Sequence, residues 1–76
     1  MPKLPVVTGA DAVKALQRAG FVIRRQRGSH VILSHPERRI IVSVPVHTGQ
    51  DMPHGTLRNI IHRAGLSVDD FIDLLT

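Results

Sequence analysis

Three short runs rich in apolar residues lie in the middle of this chain, and the connections between them restrict its topology. The runs span residues 21–26, 30–35 and 40–45, and they are joined by 27–29 and 36–39. Parallel strands need a crossover of about a dozen residues or more, which connections this short cannot supply. The sequence therefore predicts three antiparallel strands in a meander.

Alternation along these runs predicts which face of the sheet is buried, because successive side chains of a strand point to opposite faces. In the first run, Phe21 and Ile23 share one face, and Val22 and Arg24 share the other. The other two runs carry matching apolar sets that we expect in the core: Val31, Leu33, Ile40, Val42 and Val44. The remaining residues of the second run then occupy the open face: His30, Ile32 and Ser34. His30 is thus expected to be accessible at the start of a rigid strand.

Helical periodicity precedes and follows the strands. A first helix is predicted over about residues 9–19, with Thr8 and Asp11 as a capping box and Gly20 at its end. After a loop at 46–52, Asp51 is expected to cap a second helix that begins near Met52, with Pro53 tolerated in its first turn. The apolar stripe of this second helix is Leu57, Ile60, Ile61 and Ala64.

A third, short helix is predicted after Gly65. Ser67 and Asp70 form its cap, and its apolar stripe is Val68, Phe71, Ile72 and Leu75. Asp69, Asp70 and Asp73 could pass for paired carboxylates, but the first two suit the positive end of the helix dipole better. The fold class is therefore α+β, in the order α-β-β-β-α-α, with helices covering one face of a three-stranded antiparallel sheet.

Length and composition favour a single domain over 1–76, preceded by a proline-containing extended lead-in at 1–7. The chain has no cysteine and no apolar run long enough to span a membrane, so we expect a cytoplasmic protein without membrane contact. Charge is uneven. Residues 12–50 carry seven Lys and Arg against Glu37 alone, whereas residues 51–76 are net acidic. The basic part favours an anionic partner, with nucleic acid first among candidates.

The tripeptide Gly28-Ser29-His30 opens the second strand within a group of arginines. RNA cleavage without a metal needs a base for the 2′-hydroxyl proton, an acid for the leaving oxygen and cations for the charge that develops on phosphorus. Histidine can act as either acid or base near neutral pH, which makes His30 the catalytic candidate. Four neighbours are candidates for phosphate contact: Arg24, Arg25, Arg27 and Gly28. The alternative is that His30 is an ordinary residue at a strand edge.

Two residues are possible accessory groups. Ser29 offers a hydroxyl and a backbone N–H to a phosphate, and His47, where the last strand ends, offers a second acid or base. The alternatives are that Ser29 belongs to a plain hairpin turn and that His47 is a loop histidine bonded to the backbone. His35 precedes Pro36 on the strand face opposite to His30, so a role in the turn is expected.

Histidine spacing argues against a metal site. His30 and His35 diverge from one strand, while His54 and His62 are too far apart along a helix to share an ion. No cysteine or carboxylate cluster completes a ligand shell, so neither a metal nor another cofactor is predicted.

Several short motifs in this chain follow one another in the order found in HicA toxins, and the chain resembles that family over about residues 9–72. The motifs are Gly20-Phe21, Gly28-Ser29-His30, His35-Pro36, 44–49 (VPVHTG), 55–61 (GTLRNII) and 64–67 (AGLS). The resemblance implies a single HicA-like domain with a fold like that of a double-stranded-RNA-binding domain. It also implies an endoribonuclease that cleaves mRNA and is neutralised by a HicB-like antitoxin, with His30 at the position of the catalytic histidine.

Other functions remain open at this stage. We expect metal-independent cleavage by a protein that is monomeric when free of its antitoxin. One rival is a non-catalytic RNA-binding domain of the same fold, which has no need for His30. Another is an interaction module whose basic face docks an acidic protein.

Overall fold

The order of helices and strands is the predicted one, α-β-β-β-α-α, in a small α+β domain. The computed structural model describes residues 3–76. Its elements are α1 (Gly9–Arg18), β1 (Val22–Arg27), β2 (His30–Ser34), β3 (Ile41–Pro45), α2 (His54–Arg63) and α3 (Val68–Leu74). The boundaries that the sequence predicts for α1, the three strands and the start of α2 agree with these to within one or two residues.

The three strands form one antiparallel sheet in the order β1-β2-β3. Gly28 and Ser29 form the two-residue turn between β1 and β2, which Arg27 and His30 close as cross-strand partners. Gly28 has a φ of +56°, whereas Ser29 has a negative φ. That combination fits a type II′ turn, in which glycine takes the first central position and the turn follows the natural twist of the strands. The turn therefore fixes His30 as the first residue of β2.

His35 stabilises the turn between β2 and β3, as expected from the sequence. Its Nδ1 accepts a hydrogen bond of 3.1 Å from the backbone N–H of Glu37. Its ring meets Phe21 edge to face, with centroids 5.2 Å apart and an interplanar angle of 87°. Because Phe21 is buried, this contact anchors the turn to the core.

The core lies between the sheet and the helices. Four of the five strand residues predicted to be buried are buried, and Ile40 is partly buried against them. The stripe of α2 is fully enclosed, and Phe71 is the buried residue of α3. Buried side chains from all three helices join those of β2 and β3 in one cluster.

The helix starts confirm two of the three predicted caps. Thr8 with Asp11 and Ser67 with Asp70 each form a complete capping box. The cap predicted for α2 is wrong: Pro53 holds the cap position, and no side chain caps that end.

Asp51 lies before the start of the helix, in a contact between distant segments. It pairs in a short antiparallel bridge with Thr8, and next to that bridge the N–H of Met52 donates to the carbonyl of Val7 at 2.8 Å. The bridge itself does not exclude capping, because Thr8 takes part in it and still caps α1. The helix begins only after Pro53, whose ψ of 141° is non-helical, and this leaves Asp51 two residues before the cap position.

The predicted lead-in falls partly outside the described residues, because 1 and 2 are not among them. Residues 3–7 have no helix or strand, and Val7 is buried beside the loop that precedes α2. Within residues 3–76, no helix has both the length and the apolar character needed to cross a membrane.

Candidate functional site

The open face of the sheet is the face turned away from the helices, and it consists of three rows of cross-strand partners. In order from the hairpin turn, these rows are Arg27, His30 and Pro45; Arg25, Ile32 and Ser43; and Val22, Ser34 and Ile41. Partners in a row share a face, with Cβ atoms about 4.5–5.5 Å apart. His30 is exposed, as the sequence predicts, and has Arg27 beside it on β1 and Pro45 on β3.

The backbone around His30 is held from both sides. Arg27 pairs with it across the tight turn, and the ladder to β3 continues past it through a 2.6 Å bond from the N–H of Val46 to the carbonyl of Ser29. His30 therefore projects from a fixed strand end. Such rigidity is what a group that transfers a proton in a defined geometry requires.

A β-bulge at Arg24 brings two consecutive arginines to the open face. The register of β1 against β2 shifts between Ile23 and Arg25, so Arg25 lies opposite Ile32 on that face. Arg24 also lies there, because its Nε donates to the hydroxyl of Ser34 at 2.6 Å. In a regular strand, neighbouring side chains would point to opposite faces. The bulge thus concentrates positive charge on the side of the sheet that carries His30.

The charge of these arginines is largely uncompensated. Neither β1 nor β2 contains an acidic residue. Among residues 3–76, the arginine side chains that donate a hydrogen bond are Arg18, Arg24 and Arg63. The guanidinium groups of Arg25 and Arg27 are therefore free to bind an anion, and phosphate oxygens match their forked donors.

Ser43 is a polar residue on this face that the sequence analysis did not single out. It is exposed on β3 and lies diagonally across the sheet from His30, at a Cβ separation of about 7–8 Å. The sequence did carry a signal for its place on this face, because Ser43 is the polar residue between the apolar positions 42 and 44. Its hydroxyl can donate to or accept from a molecule that spans the two strands.

The accessory candidates lie in different places. Ser29 is half-buried in the turn next to His30, and Gly28 is exposed there with open space around its Cα. His47 lies beyond the end of β3, in a cleft of about 260 Å³ whose other lining residues include Gly9, Asp51 and Thr56. The fold thus places Arg27 beside His30, Arg25 one row further and Arg24 at the far end of the same face, near Ser34. His47 lines a cleft that it shares with Pro45, the partner of His30 on β3.

The side chains in the described part of the chain do not assemble a metal site. No group of three or more His, Asp or Glu side chains within residues 3–76 is arranged to hold an ion.

One comparison with known proteins bears on this site. A family model described as the HicA toxin of bacterial toxin–antitoxin systems matches residues 9–66 of the 76-residue chain. The match spans α1, the whole sheet and α2, and it therefore includes His30 and the three arginines. No curated protein matches the chain.

Proposed function

The chain belongs to the HicA toxin family of bacterial toxin–antitoxin systems, and from that premise we propose that it is an endoribonuclease that cleaves mRNA. In this proposal His30 is the general acid/base, and Arg24, Arg25 and Arg27 hold the RNA backbone. The observation that carries the proposal is the exposed His30 on the same open face as these arginines.

The chemistry we propose is in-line cleavage through the ribose. The 2′-oxygen loses its proton and attacks phosphorus while the bond from phosphorus to the 5′-oxygen breaks. The products are a 2′,3′-cyclic phosphate and a 5′-hydroxyl, whose oxygen receives a proton. His30 supplies one of these two proton transfers, and no metal ion is needed for it.

The arginines would act on the charge of the transition state. Arg27 is the cross-strand neighbour of His30, and Arg25 lies diagonally from it at a Cβ separation of about 7–8 Å. An arginine side chain can span that separation to reach a phosphate held at His30. Donors fixed before the reaction stabilise negative charge that develops on the phosphate oxygens.

A second proton-transfer group completes the mechanism. Ser29 in the adjacent turn, His47, an arginine and the RNA itself are the candidates. A site with one histidine and no preformed pair suits a slow enzyme, and slow cleavage of mRNA is enough to arrest growth.

Replacing His30 by glutamine tests the proposal. The side chain stays polar and of similar size, so we expect a folded protein whose RNA cleavage rate falls by about 100-fold or more, the usual contribution of a general acid or base. The measurement is the single-turnover cleavage of a labelled RNA, with and without excess EDTA.

His62→Gln is the matched control, because His62 is exposed in the last turn of α2. It should cleave at the parent rate. A folded His30→Gln protein that also cleaves at the parent rate would contradict the assignment, and loss of cleavage in EDTA would contradict the metal-independent mechanism.

A non-catalytic RNA-binding domain is the second candidate. The uncompensated arginines on a flat sheet face support RNA binding as such. In that case the parent protein binds RNA without cutting it, and His30→Gln leaves both properties unchanged.

The family also implies an antitoxin partner for this chain. We propose a HicB-like protein that blocks access of RNA to His30 and the arginines. Its contact surface should carry carboxylates, because burying these cations without a partner is costly.

A further inference from the structure

The two edges of the sheet differ in how much of their backbone is available. Two hydrogen bonds flank the ladder between β2 and β3. At one end the N–H of His35 donates to the carbonyl of Ile40 at 3.2 Å, and at the other the N–H of Val46 donates to the carbonyl of Ser29 at 2.6 Å. Hydrogen-bonded pairs alternate in an antiparallel ladder, so the N–H and C=O groups of Val42 and Val44, which lie between Ile40 and Val46, also point toward β2. The polar backbone groups of the intervening residues of β3 point away from the sheet: Ile41, Ser43 and Pro45.

That outer edge of β3 is obstructed. The carbonyl of Ile41 accepts a 3.0 Å hydrogen bond from Nε of Arg63 on α2. Pro45 has no N–H, and its carbonyl lies against Gly9 at the start of α1. An added strand would have to displace Arg63 and would find no donor at Pro45.

The outer edge of β1 is open. All six residues of β1 are exposed, and within residues 3–76 no strand pairs with that edge. By the same alternation, Arg25 and Arg27 bond to β2, so the N–H and C=O of Gln26 point outward. On the other side of the bulge, the N–H and C=O of Ile23 point outward in the same way.

The side chains at this edge define what would fit it. Arg25 and Arg27 flank Gln26 on the open face, two residues apart, and they are free of hydrogen bonds to the described chain. On the opposite face, Ile23 is 43% exposed. An added strand lies about 4.8 Å from β1, with its own side chains alternating in the same way.

From this arrangement we propose that the outer edge of β1 accepts an extended acidic strand of the antitoxin. The strand would pair its backbone with Gln26 and place carboxylates at two alternate positions, beside Arg25 and Arg27. An apolar side chain on the other face of the strand, at a position beyond the carboxylate beside Arg25, would cover Ile23. This inference rests on the proposed function for the existence of the antitoxin, and it names the segment and the contact by which the antitoxin regulates the site.

A second copy of the chain does not fit the same edge. Pairing two β1 strands would set arginines against arginines on one face. The bulge at Arg24 also interrupts the regular edge, a feature that discourages self-association of edge strands. Charge therefore selects an acidic partner over a second copy.

Inhibition follows from the position of the added strand. Its carboxylates would occupy the guanidinium groups that RNA phosphates otherwise use, directly beside His30. RNA binding would be lost even if the strand itself made no contact with the His30 ring.

The test uses the full chain and a short blocked peptide in which glutamate and valine alternate. Strand pairing should slow hydrogen exchange at the outward amide of Gln26 and move its NMR signal. The same peptide with N-methyl groups on the residues that pair should bind at least about ten-fold more weakly, because it leaves backbone groups unpaired.

Gln26→Pro and Gln26→Ala form a matched pair of variants. Both lose the 3.1 Å bond from the Gln26 side chain to the carbonyl of Gly28, but only Gln26→Pro lacks the outward N–H. Proline is tolerated where an edge N–H faces solvent, so both variants should fold and cleave RNA. We expect peptide binding to fall at least about ten-fold in Gln26→Pro relative to Gln26→Ala.

Three outcomes would overturn the inference: no binding at millimolar peptide, equal binding by the two variants, or protection of the Gln26 amide by self-association without peptide. If Gln26→Pro fails to fold, the test is the comparison of the N-methylated and unmethylated peptides on the parent protein. Equal binding of these two peptides overturns the inference. RNA cleavage by the parent protein is measured separately, so an inactive protein that pairs with the peptide would count against the proposed function alone.

Discussion

At the scale of single residues, two glycines lie in the first turns of helices but have different surroundings. Gly9 is the first residue of α1, and a Cβ there would meet the carbonyl oxygen of Pro45 and lie 2.9 Å from Cα of Val46. Gly55 is in the first turn of α2, and a Cβ there would have no neighbour within 4 Å. Gly9 thus lets α1 pack directly on the end of β3, next to the row that contains His30.

Gly9→Ala should therefore destabilise the protein by about 1–3 kcal/mol, because backbone must move to make room. Gly55→Ala should be neutral or stabilise it by up to about 1 kcal/mol, since alanine is the better helix former. Urea unfolding followed by circular dichroism measures both. Equal changes in the two variants would contradict the packing described for Gly9.

At the scale of elements, the starts of α1 and α2 depend on different interactions. The hydroxyl of Thr8 accepts from the N–H of Asp11 at 3.2 Å, and the Asp11 carboxylate accepts from the N–H of Thr8 at 3.1 Å. The side chain of Asp51 caps no helix, although its backbone pairs with Thr8. Stability at this end of the fold should therefore depend on one side-chain cap and on backbone pairing.

Thr8→Ala should lower the free energy of unfolding by about 1 kcal/mol, the usual cost of a lost N-cap. Asp51→Ala should change it by less than about 0.5 kcal/mol, because the backbone bridge survives the substitution. Chemical denaturation of the two variants in parallel separates these contributions. A loss of similar size in Asp51→Ala would mean that this carboxylate caps α2 after all.

At the scale of the whole molecule, charge is distributed between two surfaces. The formal net charge is +4 at pH 7, and the open face carries Arg24, Arg25 and Arg27. On another surface, Arg38 lines a cleft together with Asp70 and Asp73. Positive charge is thus locally compensated near α3 and uncompensated beside His30.

Arg25 and Arg27 replaced together by alanine should weaken RNA binding and flatten its dependence on salt. Each phosphate contact that is lost should reduce the slope of log K against log salt by about 0.7 for single-stranded RNA. Replacing Arg38 and Arg39 by alanine removes the same net charge and should leave the slope nearly unchanged. Fluorescence anisotropy across a salt series measures both slopes. An equal decrease of the slope in the two double variants would indicate a nonspecific charge effect. The RNA would then bind outside the face that carries Arg25 and Arg27.

The sequence by itself determined the topology and most of the core. Short connections imposed the antiparallel meander, and period-two alternation identified Val31, Leu33, Val42 and Val44 as buried and His30 as accessible. Two of the three helix caps were also readable, because a capping box is a local pattern within four consecutive residues. These features depend on neighbours in sequence, which is why they could be predicted.

Tertiary structure alone decided the composition of the open face. The bulge at Arg24 is a mismatch between two strands, and neither strand's own sequence specifies it. Strict alternation would separate Arg24 from Arg25, but the bulge brings both to the side of His30. In the same way, Asp51 does not cap α2, because the helix begins only after Pro53 and Asp51 lies two residues before the cap position, paired with the distant Thr8. Pairing between distant segments sets these positions, and local patterns carry no signal for it.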